Sequence, residues 1–190
     1  NMSVITRQNV FQLIFTLIVW VSCTPKGETI TQANVRDVLI RYGKENPENE
    51  VLIETDFGSM RIRLYDETPL HRANFIRLIK EDHYEDGEFY RVFYQFMIQG
   101  GDMKKQLNYR IPAEFHPDLF HKKGALSMAR EDENNPDLES SSTEFFIVHG
   151  GKYNERQVDE EAANLGLKLN AGQRQDYMDK GGYMSLDQQY

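Results

Sequence analysis

Hydrophobic and polar positions change period several times along the chain. Residues 10–22, VFQLIFTLIVWVS, are mostly apolar, broken by Gln12 and Thr16. That run is shorter than the ~20 residues a membrane span needs. Val35, Val38, Leu39 and Tyr42 then recur at i, i+3, i+4 and i+7, which predicts a short helix packed on the domain. Thr31 or Asn34 is placed to cap it and Gly43 to end it. Residues 44–50, KENPENE, read as a charged linker. From Val51 the period becomes two. VLIET, the turn DFGS and MRIRLY, with Met60, Ile62 and Leu64 alternating with arginines, predict a hairpin. Pro69 suits the first turn of a helix running to about Lys80 through Ala73, Ile76 and Ile79. Residues 89–98, 124–129 and 144–148 read as further strands. After Gly150-Gly151, Val158, Ala162, Leu165 and Leu169 fall at helical spacing, and a second helix is expected over 171–180, stopped by Gly181-Gly182. Strands, one helix, more strands and a helical excursion predict a mainly β, closed architecture.

Composition narrows the function classes. The 190 residues carry a net charge of −8, which argues against nucleic acid as the main partner, because phosphate binding needs a basic face. The single cysteine, Cys23, excludes a disulfide framework and a cysteine zinc site. His116 and His121 flank Pro117 and share no helical face, so no metal is expected; His71 reads as structural or solvated. The acidic run 131–139 lacks the ligand spacing of a calcium loop and reads as a solvated loop. The glycine pairs match no phosphate-binding pattern. The apolar run 10–22 has the length of a secretory h-region. Followed by Ser22-Cys23, it resembles the lipobox of a bacterial lipoprotein. That resemblance implies a signal peptide over 1–22, a lipid anchor on Cys23 and an exported protein of the cell envelope. It leaves 23–50 as tether, short helix and linker, and 51–190 as the domain.

The most informative stretch is FYRVFYQFMIQGGD at 89–102. By period two, Arg91, Met97 and Gln99 share one face, and Phe96 joins them only through a bend. An arginine on a strand beside aromatic and thioether side chains is suited to aiming hydrogen bonds at a ligand over an apolar pocket. With GSMRIRLY and TPLHRANF upstream, and IPAEF, HKKGALSMAR and SSTEFFIV downstream, residues 51–150 resemble the cyclophilin family of peptidyl-prolyl isomerases. The resemblance implies a closed antiparallel β-barrel with capping helices, here carrying a helical insertion over 151–186. It implies isomerisation of prolyl bonds in proline-containing polypeptides by a monomer without cofactor or metal. By position, Arg91 matches the catalytic arginine and Gln99 the glutamine that supports it. Phe96, Met97 and Phe146 match the floor of the proline pocket, and Ala129, Arg130 and Glu131 the segment that pairs with the peptide backbone. A proline-peptide-binding module or holdase chaperone using the same groove is the rival reading.

Three departures set further expectations. Tyr94-Gln95 replaces the family's Pro-Gly and alters the turn before Phe96. Glu144 stands where glutamine is usual, as a carboxylate near Arg91 that either orients it or competes with substrate for it. The later pocket residues are expected to have no counterpart, the final strands to be missing, and the natural protein to continue past Tyr190.

Overall fold

The computed structural model describes residues 2–6, 28–101 and 107–189; Cys23 and the apolar run before it lie outside them. Its strands form two antiparallel sheets. In the first, β1 (Met2–Thr6), β2 (Glu50–Thr55) and β3 (Gly58–Arg63) lie in that order. The β2–β3 hairpin reverses at Asp56-Phe57, with Thr55 opposite Gly58, as the alternation predicts. The pairing of β1 along the outer edge of β2 falls inside the segment read as a leader, where no strand was expected.

The second sheet has the order β4 (Arg91–Phe93), β5 (Met97–Gly100), β7 (Phe145–Val148), β6 (Leu126–Met128). Among the described residues no ladder joins the two sheets. They share a core nonetheless. Val51 and Ile53 of the first sheet and Phe145 and Ile147 of the second pack with Phe75, Ile76, Leu78, Ile79 and Tyr84. Three rings form its centre: Phe75 lies 5.2 Å from Tyr84 and 5.4 Å from Phe145, with Phe145 nearly perpendicular to both. Edge-to-face packing of this kind adds about 0.5–1.5 kcal/mol per pair beyond area burial.

Helix α1 (Val35–Glu45) packs against α2 (Pro69–Lys80) through Val35, Val38, Leu39, Leu70 and Ala73. Gly43 does not stop α1. The helix continues through it, and the residue serves packing instead: the position faces α2 so closely that an added Cβ would sit 3.1 Å from that of Ala73. Residues 44–50 are likewise no free linker. Arg72 donates to the carbonyls of Gly43, Asn46 and Glu48, satisfying the open end of α1, and Lys80 binds Asn46 and Glu48.

At its other end, α2 is capped from a distance. Thr68 makes no side-chain cap, and the Glu114 carboxylate instead accepts from the Leu70 and His71 backbone N–H groups at 3.0–3.1 Å. It also holds His71 Nδ1 at 2.6 Å, while His71 Nε2 contacts Ser140 Oγ at 3.1 Å. A carboxylate at the positive end of a helix dipole is the favourable placement. His71 is therefore structural.

The insertion folds as α3 (Glu155–Leu165) and α4 (Ala171–Asp179), each opened by an Asn-x-x-Gln capping box at Asn154/Gln157 and Asn170/Gln173. Gly166 in the left-handed region ends α3 before Leu169, which packs from the connection instead. Val158, Ala162, Tyr177 and Met184 form a separate small core.

Two expectations test this packing. Gly43→Leu overpacks the α1–α2 contact and should cost about 1–3 kcal/mol, read as a lower urea midpoint at unchanged m-value. Burial also holds the Tyr84, Tyr109 and Tyr177 phenols above the ordinary 10.0, Tyr109 at about 12. Their folded values lie above the unfolded one, so their contribution is complete below about pH 10 and is lost as pH rises toward 12. Each group steepens that fall by at most about 1.4 kcal/mol per pH unit. Urea denaturation between pH 8 and 11 should show a plateau and then a decline, and Tyr109→Phe should make the decline shallower.

Candidate active site

The chain reverses between β4 and β5 over residues 93–96. Phe96 N–H donates to the Phe93 carbonyl at 3.1 Å, and Gln95 takes a positive φ of 55°. The Tyr94-Gln95 departure therefore still yields a tight turn. Gln95 accepts the unfavourable backbone region, and its N–H donates to His149 Nδ1 at 3.1 Å. The Phe96 carbonyl accepts from the His149 and Gly150 N–H groups. This reversal sets the register: Arg91 opposes Gln99, and Phe93 opposes Met97.

Directly opposed residues share a face, and β7 continues it with Phe146 opposite Gln99. Arg91, Phe93, Met97, Gln99 and Phe146 thus stand on one side, with Phe96 at the turn beside them. Val92, Ile98, Phe145 and Ile147 stand on the other. An apolar cleft of about 520 Å³, lined by Phe57, Met60, Phe89, Val92 and Ile98 among others, opens on that second side, away from Arg91. Gly101 lies against Thr143, where a Cβ would meet the carbonyl oxygen at 2.6 Å, so the second glycine of the motif closes the end of β5 onto the approach to β7.

Arg91 is exposed, with its guanidinium 4.8 Å above the Phe93 ring and Nη1 donating to Gln99 Oε1 at 3.2 Å. Gln99 is buried and donates in turn to the Tyr90 hydroxyl at 2.7 Å and to Glu144 Oε2 at 3.3 Å. Burial, reinforced by the Glu144 charge, pushes the Tyr90 phenol up to about 12. The contact of Glu144 is thus with the group that orients Arg91, which favours the orienting role over competition for the guanidinium. Met97 is buried beneath this face, and Phe146 is half-buried with His121 stacked on it at 5.9 Å between centroids.

Ala129 behaves differently from the expectation. Its N–H donates to the Glu144 carbonyl and its carbonyl accepts from Ser141, so these groups hold the site strands together rather than waiting for a peptide. The Arg130 guanidinium binds Asp132 at 2.8 Å. The acidic run that follows is organised by buried Asn135, which bonds the carbonyls of Glu131 and Glu139 and the Glu139 N–H.

A family model described as cyclophilin type peptidyl-prolyl cis-trans isomerase/CLD matches residues 50–167. The chain belongs to the cyclophilin family. Among similar members, a Rhizopus delemar protein named peptidyl-prolyl cis-trans isomerase-like 1 is 36% identical over 52% of this chain and 62% of its own. A peptidyl-prolyl cis-trans isomerase of Synechococcus elongatus is 33% identical over 53% of this chain and 68% of its own. A Streptococcus pyogenes protein whose name pairs a phosphatase with a peptidyl-prolyl cis-trans isomerase is 33% identical, over 74% of this chain. The chain spans 30% of that relative and 62% of the Rhizopus one.

Several residues of this cyclophilin surface were invisible to sequence reading. The chain leaving α4, read from the sequence only as the end of the insertion, brings Tyr183 to within 4.5 Å of Phe96. It also delivers Asp187, which accepts from His121 N at 2.9 Å, meets His121 Nδ1 at 2.7 Å, and accepts from the Tyr177 hydroxyl. Tyr90 and Phe93 were missed although they flank Arg91 in sequence; Phe93 shares its parity, which was the available signal.

The burial difference across this network is testable. Gln99→Leu strips partners from Tyr90, Arg91 and Glu144 and should cost about 1–3 kcal/mol. Arg91→Ala, at an exposed position where water can replace the guanidinium on Gln99, should cost less, about 0.5–1 kcal/mol. Parallel urea titrations compare the two; equal losses would contradict the assigned geometry.

Proposed function

We propose that the chain is a peptidyl-prolyl cis-trans isomerase acting on proline-containing polypeptides, with Arg91 as its catalytic residue. The observation that carries this reading is the Gln99-held guanidinium of Arg91, at 3.2 Å, on the same sheet face as Met97 and Phe146. The reaction needs a particular kind of help. Resonance along the peptide C–N bond raises a barrier of about 18–20 kcal/mol, while cis and trans prolyl isomers differ by only about 0.5–1 kcal/mol. A catalyst has no bond to break; it must bind the twisted amide better than either planar form.

Twisting frees the lone pair of the prolyl nitrogen, and a guanidinium N–H donates to it only then. Gln99 prepays the orientation of Arg91, while Tyr90 and Glu144 fix Gln99. The proline ring seats on Phe96, Met97 and Phe146, where water is displaced and the new hydrogen bond strengthens. Arg130 and Glu131 line the approach of the flanking peptide.

The shared core of the two sheets supports reading them as parts of one barrel wall. The apolar run 10–22 and Ser22-Cys23 support an export signal over 1–22 followed by a lipidated Cys23, and so a membrane-anchored protein of the bacterial cell envelope; it is read as a monomer that assists folding of exported proteins. Mass spectrometry of Cys23 in the membrane fraction tests that assignment; an unmodified, unprocessed N-terminus there would remove it.

For the chemistry, Arg91→Ala should lower kcat/KM for a prolyl peptide by about 100-fold, the usual loss of one transition-state donor. Peptide affinity should change far less. Arg91→Lys should recover little, because an ammonium cannot keep the planar contacts with Gln99 and Phe93. Exchange spectroscopy on a short prolyl peptide measures each rate, and equal rates in parent and Arg91→Ala would defeat the mechanism.

A further inference from the structure

We propose that Phe93, Phe96 and Tyr183 form an aromatic subsite beside Arg91 that takes a bulky apolar side chain, best an aromatic one, next to the substrate proline; this rests on the isomerase reading of the same face. The three rings run in sequence. Phe93 and Phe96 lie 6.3 Å apart at 51°, and Phe96 and Tyr183 lie 4.5 Å apart at 39°. The row begins under the Arg91 guanidinium, 4.8 Å above Phe93, so a side chain entering it belongs to a residue close to the reacting bond.

The row is also unfinished as a packed surface. Phe93 keeps 47% of its surface exposed, against 3% for Met97 directly opposite it. An aromatic left half in water beside a ligand face is a place for another apolar group. Tilted rings offer it both faces and edges, the geometry in which aromatic pairs gain beyond area burial. None of the three side chains is charged, and Arg91 already lies over Phe93, so a basic flank would meet a like charge here.

Tyr183 is held ready. Its N–H donates to the His121 carbonyl at 2.9 Å, and Gly182 before it bridges to both Lys122 and Gly151. Two segments therefore fix the return of the insertion at this point, and little ordering remains to be done on binding. This gives the helical insertion a role in the site: α3 and α4 end by presenting one side of the subsite.

The test uses prolyl peptides with Ala, Leu or Phe placed before, and separately after, the proline. Each is measured for kcat/KM by exchange spectroscopy and for affinity by fluorescence anisotropy. The parent should prefer the Phe peptide to the Ala peptide by about tenfold at one of the two positions, the range a hydrophobic pocket discriminates. Tyr183→Ala should reduce that preference to about threefold or less while leaving the Ala peptide within about twofold, and Tyr183→Phe should retain it. If Tyr183→Ala fails to fold, Tyr183→Leu, which keeps an apolar side chain without the ring, is read by the same ratio. An unchanged preference, or a common loss for all peptides, overturns the subsite. Binding with the predicted preference but without isomerisation overturns the catalytic reading and leaves the subsite standing. A parent that neither binds nor isomerises any of the peptides overturns both.

Discussion

Arg91 stands opposite Gln99 because the chain turns back within four residues, 93–96, and everything on the site face inherits that register. A slip of one residue would exchange the two sides of the hairpin, turning Arg91 into the core and Val92 toward the ligand. The turn is not left to local preference. Gln95 adopts a positive φ, and His149 and Gly150, at the far end of β7, bind the turn from outside. The register is thus secured from the strand that also carries Phe146.

The same strands serve two environments. Phe145 closes the ring cluster with Phe75 and Tyr84, while Phe146, one residue later, forms part of the site. The core side is dry and tightly packed, which fixes the backbone. The site side can then hold an exposed guanidinium whose orientation depends on one buried glutamine. Tyr84 links the two sides directly, since its hydroxyl donates to the Thr143 carbonyl just before Glu144.

The helical insertion is tied to this surface through polar contacts. Asp187 joins Tyr177 of α4 to His121, whose ring stacks on Phe146. With burial as the leading cause and the Asp187 charge behind it, the Tyr177 phenol is held well above its ordinary range, so it remains a donor in this junction. The small core of Val158, Ala162, Tyr177 and Met184 gives the junction its rigidity.

Much of this was legible from the residue pattern, and the limits follow from range. Period two placed Arg91, Met97 and Gln99 on one face, and helical spacing found α1, α2 and α3, because those signals depend on neighbours a few residues away. Motif resemblance supplied the family and most of the candidate site. Sequence order failed where a residue acts across the fold. Gly43 read as a helix stop but makes room for Ala73, and residues 44–50 read as a linker but are bound by Arg72 and Lys80. Glu114, 44 residues from Leu70, caps its helix. Tyr183 and Asp187 reach the site only after the chain has travelled through two helices. By itself the sequence determined which side chains the face carries and which positions alternate onto it. Only the tertiary structure decided what surrounds that face, because the path of the intervening chain, not its local period, brings distant side chains together.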